Sequence, residues 1–183
     1  MLITHNREKL INAIIYFSGK LPSCGKTKLF KLLYILDFEH YAQTGRSVTG
    51  LDYYAWKMGP VPVSLFEELE EPQPDFSNKI SIKSAPNKIS PNAIEIFPKS
   101  DFNASLFTKR ELALLEEISE GQEMSTADDL IRLTHSPSLP WHRVYEIEKR
   151  KNQQIPYEYR LSDSDVEISD AATEHEEIIS NYK

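Results

Sequence analysis

Apolar positions recur along this chain with two different periods. From Lys26 to Gln43 the sequence KTKLFKLLYILDFEHYAQ is apolar on nearly every side of a helix, through Leu29, Phe30, Leu32, Leu33, Tyr34, Ile35, Leu36, Phe38 and Tyr41. A surface helix carries one apolar stripe, whereas a helix apolar all round is enclosed by the rest of the fold. The stretch is too short and too charged to span a bilayer, so it is expected to be a buried central helix. Upstream, Leu10, Ile11, Ile14, Ile15 and Phe17 predict a helix from about His5 to Ser18, capped by Thr4 and stopped by Gly19. Downstream, Thr108 and Glu111 have the spacing of a capping box and open a helix to about Glu120, with Leu112, Leu115 and Ile118 inward. Ser125 to Asp128 opens a further short helix through Leu133, and Ser138 caps a third that carries Trp141, Val144 and Tyr145.

A period of two marks the strands. Leu51 to Met58 is aromatic and predicts a strand, with Tyr54, Trp56 and Met58 on one face and Tyr53, Ala55 and Lys57 on the other. Ile80 with Ile82, and Ile94 with Ile96, mark two more short strands near 79–83 and 93–97. The APNKISPN between them is too long and proline-rich for a tight turn. All three strands are expected in one small antiparallel sheet. Gly59-Pro60-Val61-Pro62 forms a rigid corner that starts a helix from Val63 to Leu69, and Glu70 to Asp75 is a loop. The fold class is therefore α+β, mainly α: a helical domain around a buried central helix with a small antiparallel β-sheet.

At 183 residues the chain suits one domain, over 1–150, followed by an acidic extension over 151–183. In that extension Ile168, Ala171, His175 and Ile178 recur at helical spacing behind Ser164 and Glu167, which have the spacing of a capping box, and this predicts a short amphipathic helix. The formal charge of −7 is unevenly spread. Residues 1–60 hold eight Lys or Arg against four Asp or Glu, and residues 161–183 hold seven acids and one lysine. Phosphate neutralisation supplies most non-specific nucleic-acid affinity, so this balance argues against a nucleic-acid partner. The single cysteine, Cys24, excludes a disulfide framework and fits a reducing cytoplasm. No apolar run follows a basic start, so neither a signal peptide nor a membrane association is expected.

The chemistry is sparse. Gly25-Lys26-Thr27 looks like the end of a phosphate loop, but five residues rather than four separate Gly19 from Gly25, and a helix rather than a strand precedes it. Asp37 and His40 lack two further metal ligands at a usable spacing. Together with Lys28, Lys31, Glu39 and Gln43 they are expected on a solvated face. No nucleophile is placed by pattern, so neither cofactor, metal nor enzymatic activity is expected.

Three segments in order, KLFKLLYILDFEHY, TGRSVTG and YYAWKMGPVPVSLFEEL, followed by THSPSLPW, resemble the Panacea domain, the SocA-like antitoxin domain. The resemblance covers roughly residues 5 to 148. Its motif positions, Leu29, Leu33, Tyr34, Gly45, Gly50, Trp56, Gly59, Pro62, His135 and Trp141, are taken as structural. It implies an antitoxin of a bacterial or phage toxin–antitoxin pair, acting in the cytoplasm by direct binding of a cognate protein toxin encoded by an adjacent gene. The alternatives are a proteolytic adaptor that delivers a toxin to a AAA+ protease, and a DNA-binding autoregulator. Tyr53, Lys57, Met58 and Pro60, with Arg46 as a charged anchor, are the expected toxin contacts.

Overall fold

The computed structural model describes residues 2–86 and 90–181. Helix α1 (Leu2–Lys20) leads through a short turn to α2 (Lys26–Thr44), about which the rest is arranged. Leu29, Leu32, Leu33, Tyr34 and Leu36 are fully buried, as an all-round apolar helix requires. Helix α2 ends at Gly45, whose φ of 69° lets its N–H reach the Tyr41 carbonyl at 2.8 Å. A hairpin follows, of β1 (Tyr54–Trp56) and β2 (Gly59–Val61), then α3 (Val63–Glu68) and α4 (Pro74–Ser77). A second hairpin pairs β3 (Ile80–Ser84) with β4 (Ile94–Pro98). Helices α5 (Lys109–Gly121), α6 (Ala127–Thr134) and α7 (Pro140–His142), a π turn over Arg143–Ile147, a 3-10 turn over Tyr157–Arg160 and α8 (Val166–Asn181) complete the chain. Elements α1, α5, α6, α8, β2, β4 and the 157–160 turn all touch α2.

The mainly helical α+β class holds, with three differences from expectation. The strands form two separate two-stranded sheets rather than one. The expected long aromatic strand turns back after Trp56, because the Gly59-Pro60-Val61 corner is itself a strand paired with it. The largest difference lies on α2, where the expected solvated face is mostly internal: Lys28, Lys31, Asp37 and His40 are all buried. Their polar atoms bond to main-chain groups outside α2, at Pro22, Pro60, Val48, Thr49 and Arg46.

The helix ends are closed in different ways. Thr108 and Glu111 form the capping box of α5, and Thr126 with Asp129 forms one on α6. Helix α1 begins at Leu2, so the expected cap at Thr4 falls inside it, and the Thr4 side chain lies outside the described residues. Leu139 rather than Ser138 precedes α7, with Pro140 at the first helical position. Pro74 also opens α4 inside the expected 70–75 loop. Ahead of α8 it is Asp165 that accepts from the Ser162 N–H and hydroxyl and bonds the Ser169 N–H through its carbonyl, while Ser164 shares a hydrogen bond with the Ser162 hydroxyl rather than forming the expected box with Glu167. Part of the APNKISPN segment, 87–89, lies outside the described residues.

Packing continues past residue 150. Tyr157 stacks on Phe38 at 4.4 Å and on Tyr41 at 5.2 Å, and its hydroxyl donates to the Leu51 carbonyl at 2.7 Å. Arg160 pairs with Glu39. Helix α8 then lies against the end of α2, with Ala172 buried. A Cβ on Gly45 would stand 2.9 Å from both the Ala172 nitrogen and the Ile168 oxygen. Gly45→Ala combines that clash with an unfavourable positive φ, so it is expected to cost about 1–3 kcal/mol. It is expected to release α8 to proteolysis while the remainder stays resistant. Unchanged digestion of α8 would show that the helix is not seated by this contact.

Candidate partner-binding surface

The hairpin of β1 and β2 pairs Tyr54 with Val61, Ala55 with Pro60 and Trp56 with Gly59. Two residues, Lys57 and Met58, form its tip. Neither has a positive φ; that conformation falls on Gly59 at 101°, where the absence of a Cβ makes it accessible. A Cβ there would also lie 2.7 Å from Lys31 Cε. Glycine is thus favoured by the backbone, and any Cβ would also displace the end of the Lys31 side chain. At the tip Lys57 is exposed and Met58 is 56% exposed.

The hairpin is held from below and from one side. Below, Lys31 Nζ donates to the Pro60 carbonyl at 2.8 Å, and Trp141 Nε1 donates to the Trp56 carbonyl at 2.9 Å. The Trp141 ring lies between His135, at 3.7 Å and 3°, and Tyr145, at 4.6 Å and 13°. This sandwich explains the THSPSLPW segment: α6 ends at His135, and the turn through Pro140 returns the tryptophan beneath its ring. From the side, the Ala55 N–H donates to the Gln153 carbonyl at 2.9 Å, the Asn152 N–H to the Ala55 carbonyl at 2.8 Å and the Ile155 N–H to the Tyr53 carbonyl at 2.7 Å. The segment around Gln154 thereby acts as a third strand beside β1.

Asp37 organises the loop that carries the chain from α2 into the hairpin. Its Oδ1 accepts from the Val48 and Thr49 N–H groups, both at 2.8 Å, while Oδ2 accepts from the Thr49 and Tyr53 hydroxyls. Burial raises the carboxyl to about 6, against the pull of these donors toward the ionised form. Lys31 is 1% exposed and has no carboxylate partner among the described residues. Burial lowers its amine to about 7. His135 is also lowered, first by burial and then by the Lys31 charge, and its Nε2 has no hydrogen-bond partner among the described residues. His40 is buried beside the Lys9–Glu111 pair, and its Nδ1 meets the Arg46 carbonyl at 2.7 Å. Burial pushes the Cys24 thiol up to about 12, which leaves it protonated and unreactive at neutral pH.

The expected contact residues separate. Lys57 and Met58 share the exposed tip, whereas Tyr53 is 0% exposed and Pro60 is buried beneath it. Tyr53 serves Asp37, and Pro60 serves Lys31 through its carbonyl. Arg46 is exposed beyond the far end of α2, about 21 Å of helix from Lys31. Among the motif positions, Leu29, Leu33 and Tyr34 lie in the core, and Trp56 packs on Phe66 at 5.3 Å. Gly50 has a φ of 73°, and Pro62 precedes α3 as its N-cap.

Beside the tip runs an open groove of about 960 Å³ that includes Met58, Ile94 and Ile131. The α2 N-terminus forms one wall through Gly25, Lys26 and Thr27. The phosphate-loop look-alike is therefore the start of the core helix, with no side-chain cap. Among the described residues no group of three His, Cys, Asp or Glu side chains could hold a metal, and no helix is long and apolar enough to cross a membrane.

Residues 29–142 match the family described as antitoxin SocA-like, Panacea domain. No curated protein and no solved structure matches the chain.

Proposed function

Because the chain belongs to the SocA-like Panacea antitoxin family, we propose that it neutralises a protein toxin, encoded by an adjacent gene, by binding it directly and stoichiometrically. The family assigns an antitoxin-type role and implies a toxin partner in general. The direct-contact reading is supported most by the hairpin tip, where an exposed methionine and an exposed lysine stand on a rigid frame. A neutralising protein has only to cover a toxin's site or hold an inactive conformation. That task needs a preorganised surface, since rigidity lowers the ordering cost of binding.

Direct binding fits better than delivery to a protease, for which a free acidic C-terminal end would be the natural tether. Helix α8 instead lies with Ala172 buried against the end of α2. DNA binding fits poorly as well, because exposed Glu116, Glu117, Glu120 and Asp128 on α5 and α6 would repel phosphates.

Co-expression with each neighbouring reading frame in a naive bacterial host tests the proposal. Restored growth together with co-purification is expected for one neighbour. Degradation of the toxin without any complex would contradict direct neutralisation. Within a neutralising pair, Lys57→Glu and Met58→Asp should each weaken binding by roughly 10–100-fold with little change in melting temperature. Unfolding of Lys57→Glu would make that position structural instead.

A further inference from the structure

We infer that the hairpin tip is one half of a basic–apolar face whose other half is the 147–151 loop, and that this face takes a toxin surface with an apolar centre and an acidic rim. The inference rests on the antitoxin reading and deepens it. The loop did not stand out in the sequence, because residues 147–151 lie some 90 positions from the hairpin and form no motif.

Main-chain pairing joins the two halves. Tyr54 bridges to Gln154, and Ala55 bonds to both Asn152 and Gln153. The antiparallel direction then brings Lys151 alongside the end of β1, next to the Lys57-Met58 turn. The loop has a fixed shape. Lys149 and Asn152 both adopt positive φ, at 56° and 60°. The Glu148 N–H bonds the Arg143 carbonyl and the Arg150 N–H bonds the Val144 carbonyl, each at 2.9 Å.

The chemistry of the two halves agrees. Ile147 is 67% exposed, and with Met58 it gives each half a large apolar side chain open to solvent. The tip and residues 143–151 carry Lys57, Arg143, Lys149, Arg150 and Lys151, with Glu146 and Glu148 between them in sequence. Those two carboxylates are engaged: Glu148 holds Arg143 and Arg150, each at 3.1 Å, and Glu146 holds Lys149 at 3.3 Å. Among the described residues no carboxylate lies within 4.0 Å of Lys57 or Lys151. On a chain of net charge −7, this face is locally positive.

An apolar centre with a charged rim is the anatomy of a protein interface; Lys151 lies over the Tyr145 ring at 5.2 Å, and cations without a carboxylate beside them call for acids on the partner. A single-stranded nucleic acid would need exposed aromatic rings for its bases. Here Trp141 is 1% exposed beneath the hairpin, Trp56 packs on Phe66, and the half-buried Tyr145 and Tyr159 rings lie under Lys151 at 5.2 Å and Arg143 at 3.8 Å. The observations therefore favour an acidic protein surface.

The test uses the full chain and its purified toxin, with variants confined to the loop. Ile147→Asp/Lys151→Glu should weaken toxin binding by about 30-fold or more, and Lys151→Glu alone should flatten the salt dependence of association. Ile178→Asp, on exposed α8, should bind as the parent does. Melting temperatures show whether a variant is folded, and Lys151→Glu carries the test if the double variant is not. Parent-like affinity and salt dependence in Lys151→Glu, with parent-like affinity in any folded double variant, would overturn this inference while leaving direct neutralisation intact. Failure of the parent chain to bind any neighbouring toxin would overturn both. Salt-sensitive binding of a 20-nucleotide single strand, lost in Lys151→Glu, would assign the face to nucleic acid and overturn the acidic-protein reading.

Discussion

Lys31→Met is expected to stabilise the protein by roughly 2–4 kcal/mol at pH 7. The ammonium of Lys31 is enclosed, with one hydrogen bond to the Pro60 carbonyl and no carboxylate beside it. Its fall from an ordinary 10.5 to about 7 corresponds to roughly 5 kcal/mol against the charged form. Methionine fills a similar volume without the charge, but it leaves the Pro60 carbonyl short of a donor, which returns about 1–3 kcal/mol. Because the folded value is depressed, the unfolded chain binds the extra proton between pH 7 and 10.5. Parent stability from this group should therefore rise with pH through that window and be flat below it. Urea unfolding at pH 7, 8 and 9 measures this, staying below the range where tyrosines ionise in the unfolded chain. The variant should lose the slope. A variant less stable than the parent at pH 7 would mean that the amine is well solvated or paired.

Asp37→Ala should have the largest effect of the opposite sign, a loss of about 3–5 kcal/mol. The substitution removes the acceptor of two backbone N–H groups and two hydroxyls at once, all in the core. Alanine offers them nothing, and water has little access to a side chain 0% exposed. Asp37→Asn should recover much of the loss. Its remaining oxygen can keep the Val48 and Thr49 N–H groups, while its NH₂ meets hydroxyls that can turn to accept. Equal damage from the two substitutions would show that charge, not acceptor count, is what the 46–53 loop requires. The loop carries the hairpin, so loss of partner binding should accompany loss of stability in Asp37→Ala.

These two residues also mark what was legible in the sequence. The enclosed α2 could be recognised from Leu29 to Tyr41 because its signal is local and periodic. The capping box at Thr108 was equally local. The burial of Lys31 and Asp37 was not legible, because three of the groups that satisfy them are main-chain atoms at Pro60, Val48 and Thr49, which leave no trace in residue identity, and the Thr49 and Tyr53 hydroxyls lie 12 and 16 positions from Asp37 with no periodic link to it. For the same reason a solvated polar face and a buried one look alike along a helix. Val61 in β2 was obscured by its flanking prolines, although at Ala55↔Pro60 the pairing is maintained. At the candidate surface, alternation along a single strand could not show that the chain reverses after Trp56. Tyr53 and Pro60 consequently turn inward, and only Lys57 and Met58 remain at the tip. Ile147 and Lys151 became visible only once Gln154 was seen beside Tyr54.

Titration of purified toxin with this protein tests direct neutralisation most immediately. Toxin activity should fall in proportion to added protein and end at a fixed molar ratio, with the two chains eluting together at that ratio. Complete loss of activity at a small fraction of one equivalent, with no complex formed, would contradict binding as the mechanism and indicate catalytic inactivation of the toxin.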